Sequence, residues 1–231
     1  MKEMHVFGME LKDYSVKEAM RMVDAFLQDA KVNIISFLSP EILMEAGEDE
    51  EMRSRLSSID LTVPVSTEIL KAAGIGGRSR LAEVEEGRFY KELLKKLSNE
   101  KRTAFILTEK EETVEPFVAY LSEAAPGLKI VGHYAFENLT GDPDIVVNEI
   151  NSTFPDIVLS RLSSPKQEQF ACEQNAKLNA RLWIALREDF VTRYRKNPSG
   201  FEKWRQAIRT KLFRRRVLRF TNEQEDTGEN S

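Results

Sequence analysis

The 231 residues include one cysteine, two histidines and two tryptophans. A single thiol, Cys172, excludes an internal disulfide, and its place on an expected helix face reads as a small buried hydrophobe rather than a nucleophile. His5, near the start, and His133, at the end of an expected strand, have no cysteine cluster to join them, so a zinc-type site is not expected. No apolar run approaches the length of a membrane span, and MKEMHVFGMELKD lacks a signal-peptide core. The expected location is therefore the cytoplasm, and the Asn-x-Thr sequons at Asn138 and Asn151 read as ordinary polar surface. The phosphate fingerprint G-x-G-x-x-G is also missing.

What is present is the composition of a soluble globular protein, 41% hydrophobic and 31% charged. The net charge of -4 hides a partition. Residues 1–190 sum to -10, residues 191–221 to +10 and residues 222–231 to -4. Three units follow: an α/β body over 1–190, a basic appendage over 191–221 and an acidic tail over 222–231 expected to be disordered. An acidic body with one basic arm argues against a general nucleic-acid binder and for an arm that meets something anionic.

Along the body, Ser15 with Glu18 forms a capping box before Ala19, Met22, Val23 and Phe26 at helical spacing. The run VNIISFL at 32–38 reads as a buried strand, and Ser39-Pro40 opens a helix running toward Leu56. IDLTV at 59–63 is a second strand, followed by a short helix that Ser66 or Thr67 could cap; Gly74, Gly76 and Gly77 then open a flexible connection. A helix around FYKELLKKL leads to strand TAFIL at 103–107, with Thr108 and Glu111 as the next capping pair. From there PGLKIVGHY, PDIVL and RLWIAL are strands separated by helices at Asp142-Pro143 and PKQE. Such alternation predicts an α/β, Rossmann-like fold: a mostly parallel sheet with helices on both faces, plus a basic C-terminal helical appendage.

The stretch DIVLSRLSSPKQEQF, residues 156–170, passes from strand through small polar residues into a helix. Ligands collect at such mouths, where unpaired backbone N–H groups favour anions. Ser164 and Gln167 also make a capping box by spacing, and Lys166 in the first turn suits a bound phosphate better than it suits the helix. In the appendage, FEKWRQAIRTKLFRRRVLRF lays Phe201, Trp204, Ile208 and Leu212 along one stripe beside Lys203, Arg205, Arg209 and Lys211. This basic amphipathic helix suits either an anionic membrane surface or the protein's own acidic body.

PKQE in this setting, preceded by PDIVL and PGLKIVGHY, resembles the WecG/TagA/CpsF family of bacterial glycosyltransferases. The collinear order of DYSVKEAMRMVDAFL, SPEIL and IDLTVPVS extends the resemblance over residues 4–190. It implies transfer of an N-acetylhexosamine from a UDP-sugar to a saccharide on undecaprenyl diphosphate, in cell-wall or surface-polysaccharide synthesis, without cofactor or metal. It also implies a peripheral position on the inner face of the membrane. A homo-oligomer is compatible with it.

The family's proposed base is the aspartate of "PDG"; here Pro64, Val65 and Ser66 stand in its place, so the carboxylate is missing. Glu68, one helical turn on, is the nearest surrogate, and it also simply complements a helix dipole. The family's "GLGAPKQE" is RLSSPKQE and its "GGAFDF" is ALREDF, so Arg161 and Arg187 replace small residues, with Asp189-Phe190 retained. The strand-end "T-x-N" becomes Ser36, Phe37 and Leu38. The resemblance assigns substrate contacts to Ser36, Ser66, Thr67, Ser164, Lys166 and Gln167, and diphosphate or membrane contact to the group Arg214, Arg215, Arg216 and Arg219. These departures imply altered or impaired catalysis, or a non-catalytic descendant that binds a membrane or a partner.

Overall fold

Strands that are apolar along their whole length have to be covered on both sides. The computed structural model describes residues 2–186, 208, 210–220 and 222. The chain runs β1 (Lys2–Val6), β2 (Met9–Asp13), α1 (Val16–Phe26), β3 (Asn33–Leu38), α2 (Pro40–Glu48), α3 (Glu50–Ser58) and β4 (Leu61–Pro64). It continues α4 (Thr67–Ala72), α5 (Arg78–Glu85), α6 (Arg88–Asn99), β5 (Thr103–Thr108), α7 (Val114–Ala124), β6 (Lys129–Ala135), α8 (Asp144–Ser152), β7 (Ile157–Arg161), α9 (Lys166–Gln174) and β8 (Leu182–Ala185). Residues 210–220 are helical and are called α10.

The six strands β3 to β8 form one sheet in the order β4-β3-β8-β7-β5-β6, every pairing parallel. The expected Rossmann-like architecture is therefore present. Connections that step toward β4 in this order, β3 to β4, β6 to β7 and β7 to β8, carry α2, α3, α8 and α9 into one apolar cluster. Those that step toward β6 carry α6 and α7 into a second cluster, shared with α1, on the other face. A single handedness of crossover requires this segregation. The two faces are named below by α9 and α6.

Local signals explain most elements. The Ser15–Glu18 capping box is formed, and the Ser39 hydroxyl accepts the Ile42 N–H at 3.2 Å ahead of Pro40. Four details differ from expectation. The first residues form the β1–β2 hairpin, whose turn places Phe7 (φ 51) and Gly8 (φ 71) in the left-handed region that a two-residue hairpin turn demands. The helix expected to reach Leu56 stops at Glu48, because Asp49 adopts an extended conformation and caps α3 by accepting from Glu51 and Met52. The connection after Gly77 contains α5, which buries little beyond Val84. Thr108 does not cap a helix: it ends β5, and its hydroxyl donates to the Lys110 carbonyl at 3.0 Å.

Helix α10 docks on the α9 face. Phe213 is 1% exposed, and Phe7 meets the rings of Phe213 and Phe220 edge-on at centroid distances of 5.7 and 5.5 Å. Ion pairs Arg214–Glu68 and Arg216–Glu48 flank the contact. Docking thus uses Phe213, Val217 and Phe220 rather than the expected stripe, since Ile208 and Leu212 are exposed together with Leu218. Phe201, Lys203, Trp204, Arg205 and Arg209 lie outside the described residues, as do residues 223–231 of the tail.

Phe213→Ala is expected to lower the unfolding free energy by about 3–5 kcal/mol. Leu218→Ala, on the outer side of the same helix, is expected to change it by less than about 0.5 kcal/mol. Urea denaturation of both variants measures the contrast.

Candidate functional site

The carboxyl edge of the sheet is built from one row of small polar residues. Register places Ser36 between Thr62 on β4 and Ala185 on β8, and Ala185 beside Ser160 on β7. Alternation along the strands turns this row to the α9 face, with Ile34, Leu38, Val158 and Trp183. The Ser36 hydroxyl is enclosed and has no hydrogen-bond partner among the described residues. Ala185 beside it offers only a methyl group.

Gln167 comes down onto the same row. Its carboxamide oxygen accepts from the Ser160 hydroxyl at 2.9 Å and from the Leu162 N–H at 3.2 Å, and the residue is 2% exposed. The capping box expected from Ser164 and Gln167 is therefore absent: no side chain caps α9, and the Ser164 hydroxyl donates to Glu45 on α2 at 3.4 Å. With its oxygen committed to the strand, Gln167 can offer a ligand only its two amide N–H donors. Donors at that point suit phosphoryl or sugar oxygens.

Lys166 is not a free first-turn cation. It pairs with Glu109, which follows β5 and also accepts from the Ser163 N–H and the Ser163 hydroxyl, each at 3.2 Å. Partial burial pushes the Glu109 carboxyl up, but Lys166 and the Ser163 donors outweigh it and hold the group below the usual carboxylate range. The Lys166 ammonium also lies 5.8 Å from the centroid of the Phe136 ring. Arg161 at the end of β7 is turned to the α6 face, its guanidinium 4.7 Å from the centre of the Phe117 ring.

At the end of β4, Val65 is 2% exposed and packed in the α6-face cluster, its N–H bonded to the Leu38 carbonyl at 2.9 Å. Ser66 occupies the N-cap position of α4 without making a cap; its hydroxyl donates instead to Glu68 at 3.0 Å. The other Glu68 oxygen faces Arg214 at 3.7 Å. Thr67 is half-buried in the first turn, and Arg215 and Arg219 point to solvent. Hence Ser36 and Gln167 share a face and an edge, Glu68 joins the appendage, and Val65 is turned the other way. Arg187 and Asp189 lie outside the described residues.

A shallow cleft opens on the α6 face at Val63 and Pro64, lined also by Phe37, Arg80, Phe89 and Tyr90 among others. Arg80 is held there by Asp13, at 2.9 and 2.8 Å, and by Glu83 at 3.2 Å. Neither this ion cluster nor Glu109 was foreseen from the sequence, because Arg80 and Asp13 are far apart in the chain and follow no local spacing rule. Among the described residues no group of three or more His, Cys, Asp or Glu is placed to hold a metal ion. Cys172 is half-buried, and burial raises its thiol pKa.

A protein-family model described as Glycosyl transferase WecG/TagA/CpsF family matches residues 4–190. No curated protein matches the chain.

Gln167→Leu strands the Ser160 hydroxyl and the Leu162 N–H, and is expected to cost about 1–3 kcal/mol in chemical denaturation. Ser36→Ala removes an enclosed hydroxyl that has no partner among the described residues, so stability should stay level or rise. The Glu109 link should weaken in acid. Its stabilisation is complete above the ordinary carboxylate value of 4.5 and is lost as pH falls through its lowered value, so Glu109→Gln should flatten the acid limb of a thermal-stability profile.

Proposed function

Because the chain belongs to the WecG/TagA/CpsF glycosyltransferase family, and membership implies glycosyltransferase activity in cell-wall polysaccharide synthesis, we propose that it binds a UDP-N-acetylhexosamine at the carboxyl edge of its sheet. The acceptor in this reading is a saccharide on undecaprenyl diphosphate. The observation that carries it is the enclosed Ser36 hydroxyl, without a partner among the described residues, in the same row as the Gln167–Ser160 bond. A protein core seldom keeps an unpaired hydroxyl without a use for it. Ser36 and the Gln167 amide would hold donor oxygens, while Lys166 and the arginines of α10 supply positive charge for a departing diphosphate.

Proton removal from the acceptor is the weak step. Val65 has no acidic group, and Glu68 is engaged by Ser66 and Arg214. These observations favour altered or slow transfer, and they equally support a second reading: a descendant that keeps donor binding and acts through its appendage. In both readings the outer side of α10 meets an anionic membrane on its inner face. Ile208, Leu212 and Leu218 are exposed there beside Lys211, Arg215 and Arg219, opposite the docked Phe213.

Isothermal titration with UDP and UDP-N-acetylhexosamines should show binding at millimolar ligand or below, and Ser36→Ala should weaken it without loss of stability. No binding by the folded full-length chain would remove the proposal. Sugar transfer to a lipid-diphosphate saccharide separates the two readings, since turnover by the unmodified protein excludes the non-catalytic one. Repeating the assay with vesicles containing anionic lipid tests the membrane contact: Leu212→Asp should abolish sedimentation with them.

A further inference from the structure

The strand order creates a switch point between β7 and β5. The chain leaves β7 for α9 on one face and leaves β5 for α7 on the other. A crevice forms between strand ends at such a point, and ligands use it. In this protein Glu109 stands across that crevice, anchored at the end of β5 and bonded to the loop and first turn that follow β7.

Three different donors converge on its carboxylate: the Ser163 backbone N–H, the Ser163 hydroxyl and the Lys166 ammonium. That is the donor set a phosphoryl group takes up in front of a helix. The pair is not part of the core, since Glu109 keeps 25% and Lys166 45% of its side-chain surface. An ion pair so exposed adds only modestly to folding. Lys166 also keeps its place near the Phe136 ring, and the loop keeps its second tie from Ser164 to Glu45, so releasing Glu109 does not leave the mouth unsupported. Two strands away in the same edge row, the Ser36 hydroxyl is enclosed and has no partner among the described residues, a second polar group that a ligand at this edge could satisfy.

We infer that Glu109 is an internal competitor for the anion seat at the head of α9, displaced when a diphosphate enters. The inference rests on the nucleotide-sugar reading above and adds a selection rule to it. A tethered carboxylate is present at high effective concentration, so a singly charged anion gains too little to evict it. A diphosphate brings more charge and more acceptor oxygens to the same donors.

The test compares Glu109→Gln, Glu109→Ala and Glu112→Gln with the unmodified full-length chain, titrating UDP and inorganic pyrophosphate by calorimetry. Glu112 is 75% exposed on the neighbouring turn, so its neutralisation reports the general effect of removing one negative charge. Both Glu109 variants should bind the two ligands roughly ten-fold more tightly, while Glu112→Gln stays within about two-fold of the parent. Circular dichroism checks that each variant is folded, and two substitutions at one position guard against loss of either. Equal or weaker binding by the folded Glu109 variants, with binding by the parent intact, overturns the inference and leaves the nucleotide reading standing. Absence of binding by the parent and all variants removes both.

Discussion

The pairing of β8 with β3 on one side and β7 on the other holds the two halves of the sheet together. Without it the sheet would fall into a β4-β3 pair and a β7-β5-β6 trio. Every feature of the carboxyl edge follows from that insertion. Ser36 and Ser160 share a row only because Ala185 lies between them, and Ala185 offers the Ser36 hydroxyl nothing to bond. Burial completes the constraint, since both faces of β8 are covered and its residues are 0–2% exposed.

The central strands were legible because continuous apolar runs such as VNIISFL and TAFIL cannot sit at a surface. The hairpin left a fainter trace: Met4, Val6, Met9 and Leu11 alternate with exposed residues, but the turn is Phe-Gly rather than one of the usual hairpin pairs. Helix α5 left almost none, because RSRLAEVE has no apolar stripe. At the site, the three-residue spacing of Ser164 and Gln167 fits a cap, yet the side chains chose partners on β7 and α2. Spacing records which bonds are possible along one segment. It is silent on competitors contributed by the rest of the chain, and for that reason Glu109 and Arg80 were invisible.

The two faces of the edge differ in chemistry. On the α9 face Ser163 and Lys166 donate to Glu109, beside a Gln167 carboxamide whose oxygen accepts from Ser160 and Leu162. On the α6 face, where the family's proposed base would stand, Val65 is packed among aromatic and aliphatic neighbours, and Arg80 nearby in the fold is already paired with both Asp13 and Glu83. Holding an anionic donor and removing a proton are separable tasks, and the proposed reading assigns described residues of this edge to the first only. A chain altered in this way can retain recognition while its reaction slows or stops.

The Phe7 ring stands on a left-handed backbone and is covered by side chains from the far end of the chain, Phe213 and Phe220. Translation runs from the hairpin toward α10, so the Phe7 ring cannot gain this cover until about two hundred later residues have been made.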